Sequence, residues 1–356
     1  MAIIKLVLSF FLSLYQIISP MAAYVMNFGE SNFFTEWSVN DEFTEDCYAV
    51  VEKDPEKDFV ILNLADVQME DDRLYAEKGV ETAKMIDELV EEHKPDLITL
   101  TGDNAWGTMS YIELIRQVDA YGIPWAPVMG NHDGQGCVSE FWAAYLLSEA
   151  ENCLFEFGPE DMGYGNYIIN VTENGKIIHT LFMMDTHNNA DYTADDGSTY
   201  NDYDHLWENQ IEWYKWAVNG ISEIAGKTVE STVIMHIPVY EYRDAWKKFY
   251  GSEELGTLAP ELAPDAQGVN GEGIFSAPVN NGFFTVCKEL GSTKNMLVGH
   301  DHANDFRIVY EGIGLNYALK TGYGSYFTSE LMGATTITIG SDGVATVEHN
   351  YVDALF

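Results

Sequence analysis

Carboxylate, amide and imidazole side chains gather in five short segments of this chain: Asp66-Val67-Gln68, Gly102-Asp103-Asn104, Gly130-Asn131-His132-Asp133, His236-Ile237-Pro238 and Gly299-His300-Asp301-His302. Each residue type has an ordinary use, since Asp and Asn close turns and cap helices and a single His is most often a satisfied core residue. Their order, and their shared position after apolar runs, point instead to a hydrolytic site built on two divalent ions. Such ions sit roughly 3.5 to 4 Å apart and share a bridging ligand. A carboxylate bridges readily, whereas an amide or imidazole rarely does. Asp103 is the natural bridge, and Gly102 before it lets the backbone come close. Asp66, Gln68 and His302 would then serve one ion, and Asn131, His236 and His300 the other. Water shared by two such ions ionises near neutral pH, which supplies a hydroxide nucleophile without a protein base. His132, next to Asn131, is expected to protonate the leaving alkoxide or stabilise transition-state charge, with Asp133 orienting or charging its ring.

The elements that must carry these groups are legible as well. Residues 59–65, 97–101, 231–235 and 295–298 read as buried parallel strands, and in open α/β sheets the carboxyl ends of strands are where ligands bind. Residues 74–93 place Val80, Ala83, Ile86, Leu89 and Val90 at helical spacing, and residues 111–121 read as a second crossover helix. Residues 164–171 and 176–184 flank Thr172-Glu173-Asn174-Gly175, a hairpin signal. The polar, Tyr-rich stretch 185–203 reads as a surface loop, with His187 at the end of the strand before it. Trp207, Ile211, Tyr214 and Val218 form a helical stripe of core type. Residues 241–275, rich in Gly, Pro and acids, read as a lid or specificity insert. From residue 306 on, alternation at 306–310, 315–319, 335–339 and 345–349 predicts an antiparallel second sheet. Gly322-Tyr323-Gly324-Ser325-Tyr326 reads as a glycine-rich structural turn.

The five blocks resemble those of the calcineurin-like metallophosphoesterases, whose pattern is Asp-x-His, Gly-Asp, Gly-Asn-His-Asp/Glu, a single His and Gly-His-x-His. The likeness spans residues 58–326, and segments 236–242, 281–284 and 298–306 are most similar to the purple-acid-phosphatase-like branch of plants and fungi. The resemblance implies an α/β (α+β) fold, a four-layer αββα sandwich of two mixed β-sheets with the dimetal site at the C-terminal ends of strands. By the same resemblance, His187 stands where such proteins place substrate contacts and could touch a phosphate, and the turn 322–326 lies near the family's active site, so that Tyr323 or Tyr326 could line the pocket. Two departures stand out. Gln68 replaces the His of the first motif, and Trp106 stands where true purple acid phosphatases have an iron-binding Tyr. The first ion thus loses an imidazole and gains no phenolate, so no purple colour is expected. A neutral amide oxygen suits Mn²⁺, Fe²⁺, Zn²⁺ or Mg²⁺ with extra water.

Length and apolar content allow one large domain, and the spread of the blocks favours a single one over residues 58–356. Residues 1–23 combine Lys5, a nearly apolar run from Leu6 to Ile18, and Ser19-Pro20-Met21-Ala22-Ala23. That pattern fits a secretory signal cleaved near Ala23, with export and no stable membrane insertion afterwards, ahead of the rival reading of an uncleaved N-terminal anchor. Residues 24–57 carry no readable role. Export would permit a Cys137–Cys153 bridge, while buried free thiols are the simpler reading of the chain's four cysteines. Asn170-Val171-Thr172 is a lone glycosylation sequon. The net charge of −39, from 57 acidic against 18 basic residues, repels nucleic-acid backbones and anionic membranes, so the expected partner is a small phosphate mono- or diester and not a nucleic-acid polymer. A nucleotide or cyclic-nucleotide phosphodiesterase would use the same residues. A metal-holding extracellular binding protein, decayed through Gln68, is the alternative from another class, and retention of His132 argues against it.

Overall fold

The computed structural model describes residues 33–70, 72–136, 139–261 and 263–354. The expected signal segment and Cys137 lie outside them. The strands in chain order are β1 (Ala49–Glu52), β2 (Phe59–Leu64), β3 (Leu97–Thr101), β4 (Trp125–Val128), β5 (Tyr167–Glu173), β6 (Lys176–Met183), β7 (Asn189–Thr193), β8 (Thr199–Tyr203), β9 (Ser231–Ile234), β10 (Gly256–Leu258), β11 (Ala266–Asn270), β12 (Thr293–Val298), β13 (Arg307–Tyr310), β14 (Ile313–Tyr317), β15 (Gly333–Ile339) and β16 (Ala345–Tyr351). The α-helices are α1 (Asp72–His93), α2 (Thr108–Ala120), α3 (Glu140–Ser148), α4 (Glu208–Ala225), α5 (Glu241–Tyr250) and α6 (Phe283–Leu290).

Two mixed sheets stack to form the centre of the fold. One has five strands in the order β16-β15-β2-β3-β4, and the other has nine in the order β1-β5-β6-β9-β12-β14-β13-β11-β10. Strands β2, β3 and β4 run parallel, with Ile61 opposite Leu97 and Ile98 opposite Trp125. Strands β6, β9, β12 and β14 run parallel in the other sheet. The two-residue period of a strand then divides the core. Leu181, Ile234 and Leu297 join the cluster shared with the five-stranded sheet, α1 and α2. Their neighbours Phe182, Val233 and Met296 join a second cluster with Tyr214 of α4, Trp246 of α5 and Phe283 of α6. Helices therefore cover both outer faces, which gives the four-layer αββα sandwich. Burial on both faces is also why these strands read as unbroken apolar runs.

Several expectations need correction. Residues 185–203 are not a plain loop, because β7 and β8 pair in a hairpin with Asn189 opposite Tyr203. Residues 241–275 are not a separate insert over the site. They form α5 on the outer face, followed by β10 and β11, which lengthen the edge of the large sheet. The four strands after residue 306 do not make one sheet, since β13 and β14 join the nine-stranded sheet whereas β15 and β16 flank β2. N-terminal to residue 58, β1 pairs with β5 at the edge of the large sheet. Asn170 of the sequon is fully buried in β5 and its Oδ1 accepts from Thr180, so the folded protein offers no acceptor there. Among the described residues, no helix is long and apolar enough to cross a membrane.

Candidate metal centre

All five blocks leave the ends of parallel or near-parallel strands that converge where the two sheets meet. Asp66 follows β2, Asp103 follows β3, Asn131 follows β4, His236 follows β9 and His300 follows β12. The backbone turns sharply there: Asp66, Gln68, Asp103 and His300 have φ of 48°, 43°, 51° and 77°. Non-glycine residues rarely adopt this left-handed region, and such conformers gather at functional sites where the surroundings hold them. The loops are also packed without clearance. A Cβ on Gly102 would lie 2.7 Å from His236 Nδ1, and one on Gly130 would fall onto the Asp103 backbone nitrogen.

Hydrogen bonds to backbone carbonyls fix which imidazole nitrogen faces the centre. His236 Nδ1 donates to the Thr101 carbonyl at 2.8 Å, which turns Nε2 toward Asn131 Oδ1 at 2.9 Å, His300 Nδ1 at 3.2 Å and Asp103 Oδ1 at 3.4 Å. His302 Nδ1 donates to the Tyr326 carbonyl at 2.9 Å and leaves Nε2 3.5 Å from Asp66 Oδ1. This is the arrangement in which a second partner sets the tautomer of a metal-binding imidazole.

Asp103 Oδ1, Asn131 Oδ1, His236 Nε2 and His300 Nδ1 thus aim lone pairs at one another in a buried space. Such a set is balanced by a cation at its centre or, without one, by a proton. His236 reflects this: burial lowers its affinity for a proton, yet the Asp103 and Asp66 charges outweigh burial and raise its pKa above the ordinary value. Burial and the His236 charge hold His300 well below its ordinary value, and its Nε2 is buried without a hydrogen-bond partner. Asp66, Asp103 and His236 bring one ligand atom each within 4.8 Å of one another. One carboxylate, one amide and two imidazoles suit a borderline divalent ion, so the residues on this side fit.

The other side differs. Burial alone would raise Asp66, but His302, His236 and Lys320 hold its carboxyl well below the usual range. Gln68, expected as a ligand, does not present its oxygen to the centre. Its Oε1 accepts from Lys320 Nζ at 3.0 Å and its Nε2 donates to Asp103 Oδ2 at 3.0 Å. Lys320 is itself buried and also donates to the Asp66 carbonyl at 2.7 Å. Burial pushes its pKa down to about 8, with the Asp66 and Asp103 charges pulling the other way. Sequence reasoning passed over Lys320, although a lone Lys closing the apolar run 315–319, in a chain with 18 basic residues, was a signal.

The remaining expected residues divide. His132 lies at the centre: its backbone N–H donates to Asp103 Oδ1 at 2.8 Å, its ring rests beside Trp106, and its Nδ1 lies 2.9 Å from Gln135 Oε1. Asp133 does not touch that ring. It is fully buried and accepts from the backbone of Gly130 and Asn104, the Asn104 amide and the Tyr111 hydroxyl, so it ties the loops together. Burial and the Asp103 charge push its pKa up to about 7. His187, expected to reach a phosphate, is committed elsewhere, donating to Gln210 Oε1 at 2.8 Å and stacking on Trp207. Tyr323 is buried in the core and does not line the site, whereas Tyr326 is 52% exposed with its ring stacked on His302. Tyr203 of β8, unremarked in the sequence, sets its ring 4.5 Å from that of His300.

Residues 59–267 match the family model for calcineurin-like phosphoesterases. The chain belongs to this family. Its curated relatives include three probable inactive purple acid phosphatases of Arabidopsis thaliana. Probable inactive purple acid phosphatase 14 of Arabidopsis thaliana is 29% identical over 272 residues, covering 69% of this chain and 63% of that protein. Phosphatase DCR2 of Saccharomyces cerevisiae is 28% identical over 240 residues, covering 63% of this chain and 39% of the yeast protein. The chain thus spans less than two thirds of the length of the relatives it matches. Among solved structures, a dimetal phosphatase from Danio rerio aligns at 12% identity with a TM-score of 0.49, covering 82% of this chain and 98% of that one.

Proposed function

We propose that this calcineurin-like phosphoesterase is an active metal-dependent hydrolase of small phosphate mono- or diesters. The observation that carries this reading is the buried set of Asp103, Asn131, His236 and His300, whose lone pairs converge with His132 beside them. A bound divalent ion, from among Mn²⁺, Fe²⁺, Zn²⁺ and Mg²⁺, would neutralise phosphate charge and ionise a water near neutral pH. The protein's own groups do the rest: the strand-end loops fix the ligands, and His132 donates a proton to the leaving oxygen. The excess of acidic residues repels long polyanions, which leaves small esters as substrates. The apolar run of residues 6–18 and the small residues after it support export, testable as a mature N-terminus at Tyr24 in secreted material.

A nucleotide or other ester with a planar leaving group is a second reading, favoured by the aromatic rings of Trp106, Tyr203 and Tyr326, each lying against an imidazole of the site. The test is turnover of p-nitrophenyl phosphate and bis-p-nitrophenyl phosphate by metal-loaded protein, with and without chelator. Metal-dependent turnover of either ester is the expected result. No turnover by folded protein carrying bound metal would defeat the reading and favour a binding protein.

A further inference from the structure

We propose that Lys320 locks Gln68 with its amide nitrogen against Asp103, so that this chain holds one divalent ion, among Asp103, Asn131, His236 and His300, where its family uses two. The inference rests on the metal-dependent reading above and concerns the make-up of that same centre. Its starting point is the division of the two Asp103 oxygens. Oδ1 faces His236 Nε2 and the ligands around it, whereas Oδ2 accepts the Gln68 N–H. A carboxylate bridging through both oxygens would offer Oδ2 to the other ion, and here an amide hydrogen occupies it, while Oδ1 already accepts the His132 backbone N–H and has little left for a second ion.

The orientation of Gln68 follows from its neighbours. Lys320 Nζ lies between two acceptors, the Asp66 carbonyl and Gln68 Oε1, and an amine has hydrogens for both whether charged or neutral. Reversing the amide would set N–H against the Lys320 amine and Oε1 against the Asp103 carboxylate. Both hydrogen bonds would be lost inside a buried site, where such groups have no water to turn to. Lys320 has little freedom to move aside, because its backbone bridges to Ala65 on one side and Met332 on the other and it is 2% exposed. Asp66 is already served by the His300 backbone N–H, which lies 3.1 Å from each carboxylate oxygen. The second position therefore lacks the Gln68 oxygen, shares no free Asp103 oxygen, and has a buried basic group behind it. Lys320 acts through Gln68 and touches no substrate, which makes it a positioning residue.

Metal content and the electron paramagnetic resonance of Mn²⁺ test this without reference to turnover. Full-length protein, stripped with chelator and dialysed against Mn²⁺, is expected to keep one ion per chain and to show the spectrum of an isolated ion. A Gln68→His, Lys320→Met double variant removes the lock and restores an imidazole, and is expected to take a second ion with loss of the isolated-ion signal to exchange coupling. Two ions per chain and a coupled spectrum in the unaltered protein would overturn the inference while leaving the hydrolase reading intact. No bound ion at all would overturn both. A folded double variant still limited to one ion would show that Lys320 and Gln68 are not the cause, and Lys320→Met alone gives the same comparison should the double variant fail to fold.

Discussion

His132 is held by its main chain and not by its ring. The backbone N–H donates to Asp103 Oδ1, and this bond survives any side-chain substitution. The ring touches Gln135 and Trp106 and none of the proposed ligands. His132→Ala should therefore leave metal content unchanged while lowering kcat by about 10²- to 10⁴-fold, the usual worth of a positioned general acid. Metal analysis beside steady-state kinetics checks both halves, and an unchanged kcat would remove His132 from the chemistry. At this scale the sequence was informative about residue type and less so about direction. Asp103, Asn131, His236 and His300 could be picked out because a strand end exposes whatever follows it. Asp133, Gln68 and His187 were misread because their roles depend on where a hydrogen points. Asp133 accepts from Asn104 and Gly130 on two loops and from Tyr111 on α2, Gln68 is turned by a Lys 252 residues away in sequence, and His187 is spent on Gln210.

Among the elements, the loops after β3 and β4 leave no room for added atoms. Gly130 packs against Asp103 where no Cβ fits, and the atoms in the way are the Asp103 main-chain nitrogen, which cannot rotate aside, and the Oδ1 that faces the centre. Gly130→Ala should force the two loops apart, destabilising the fold by about 1–3 kcal/mol and weakening metal affinity together with activity. Urea unfolding followed by metal titration distinguishes this from a local loss of one ligand, and an unaltered metal affinity would mean that the loops can separate without moving Asp103. Strand existence was readable from apolar runs at β2, β3, β9 and β12, and helix existence from the stripes of α1, α2 and α4. Partnership was not. Alternation marks β13 to β16 as strands but contains nothing about which edge each one joins, and the pairing is set by strands from other parts of the chain, β12 for β14 and β2 for β15. A hairpin as polar as β7–β8 likewise lacks the apolar alternation that would announce it.

Taken whole, the molecule depends on two sheets staying in register so that loops from both can share one centre. Two histidines away from that centre, His179 buried and His349 half-buried, help to join them. His179 on β6 donates from Nδ1 to the Gly343 carbonyl in the β15–β16 turn and accepts from Thr232. His349 on β16 donates from Nε2 to the Asp305 carbonyl beside β13 and accepts from Thr335. Each is satisfied only as a neutral imidazole. Burial lowers His179 to about 4, and burial with the nearby Arg307 charge lowers His349 to about 3, from an ordinary 6.5. Above pH 6.5 neither the folded nor the unfolded chain protonates these rings, and their contribution is complete. As pH falls below 6.5 the unfolded chain takes up protons that the folded one refuses, so stability declines until pH reaches about 4 for one and about 3 for the other. The loss is about 1.4 kcal/mol per pH unit for each group. Buried carboxyls such as Asp301, pushed up to about 8 by burial, work in the opposite sense, because the folded chain there keeps a proton that the unfolded one releases. The histidine effect is therefore isolated by comparison with a His179→Asn, His349→Gln variant, whose amides keep the donated hydrogen bonds and do not titrate. Unfolding free energies from urea melts at intervals between pH 7 and 4.5 should fall more steeply in the unaltered protein than in the variant. Parallel slopes would mean that these imidazoles are not held neutral in the folded chain.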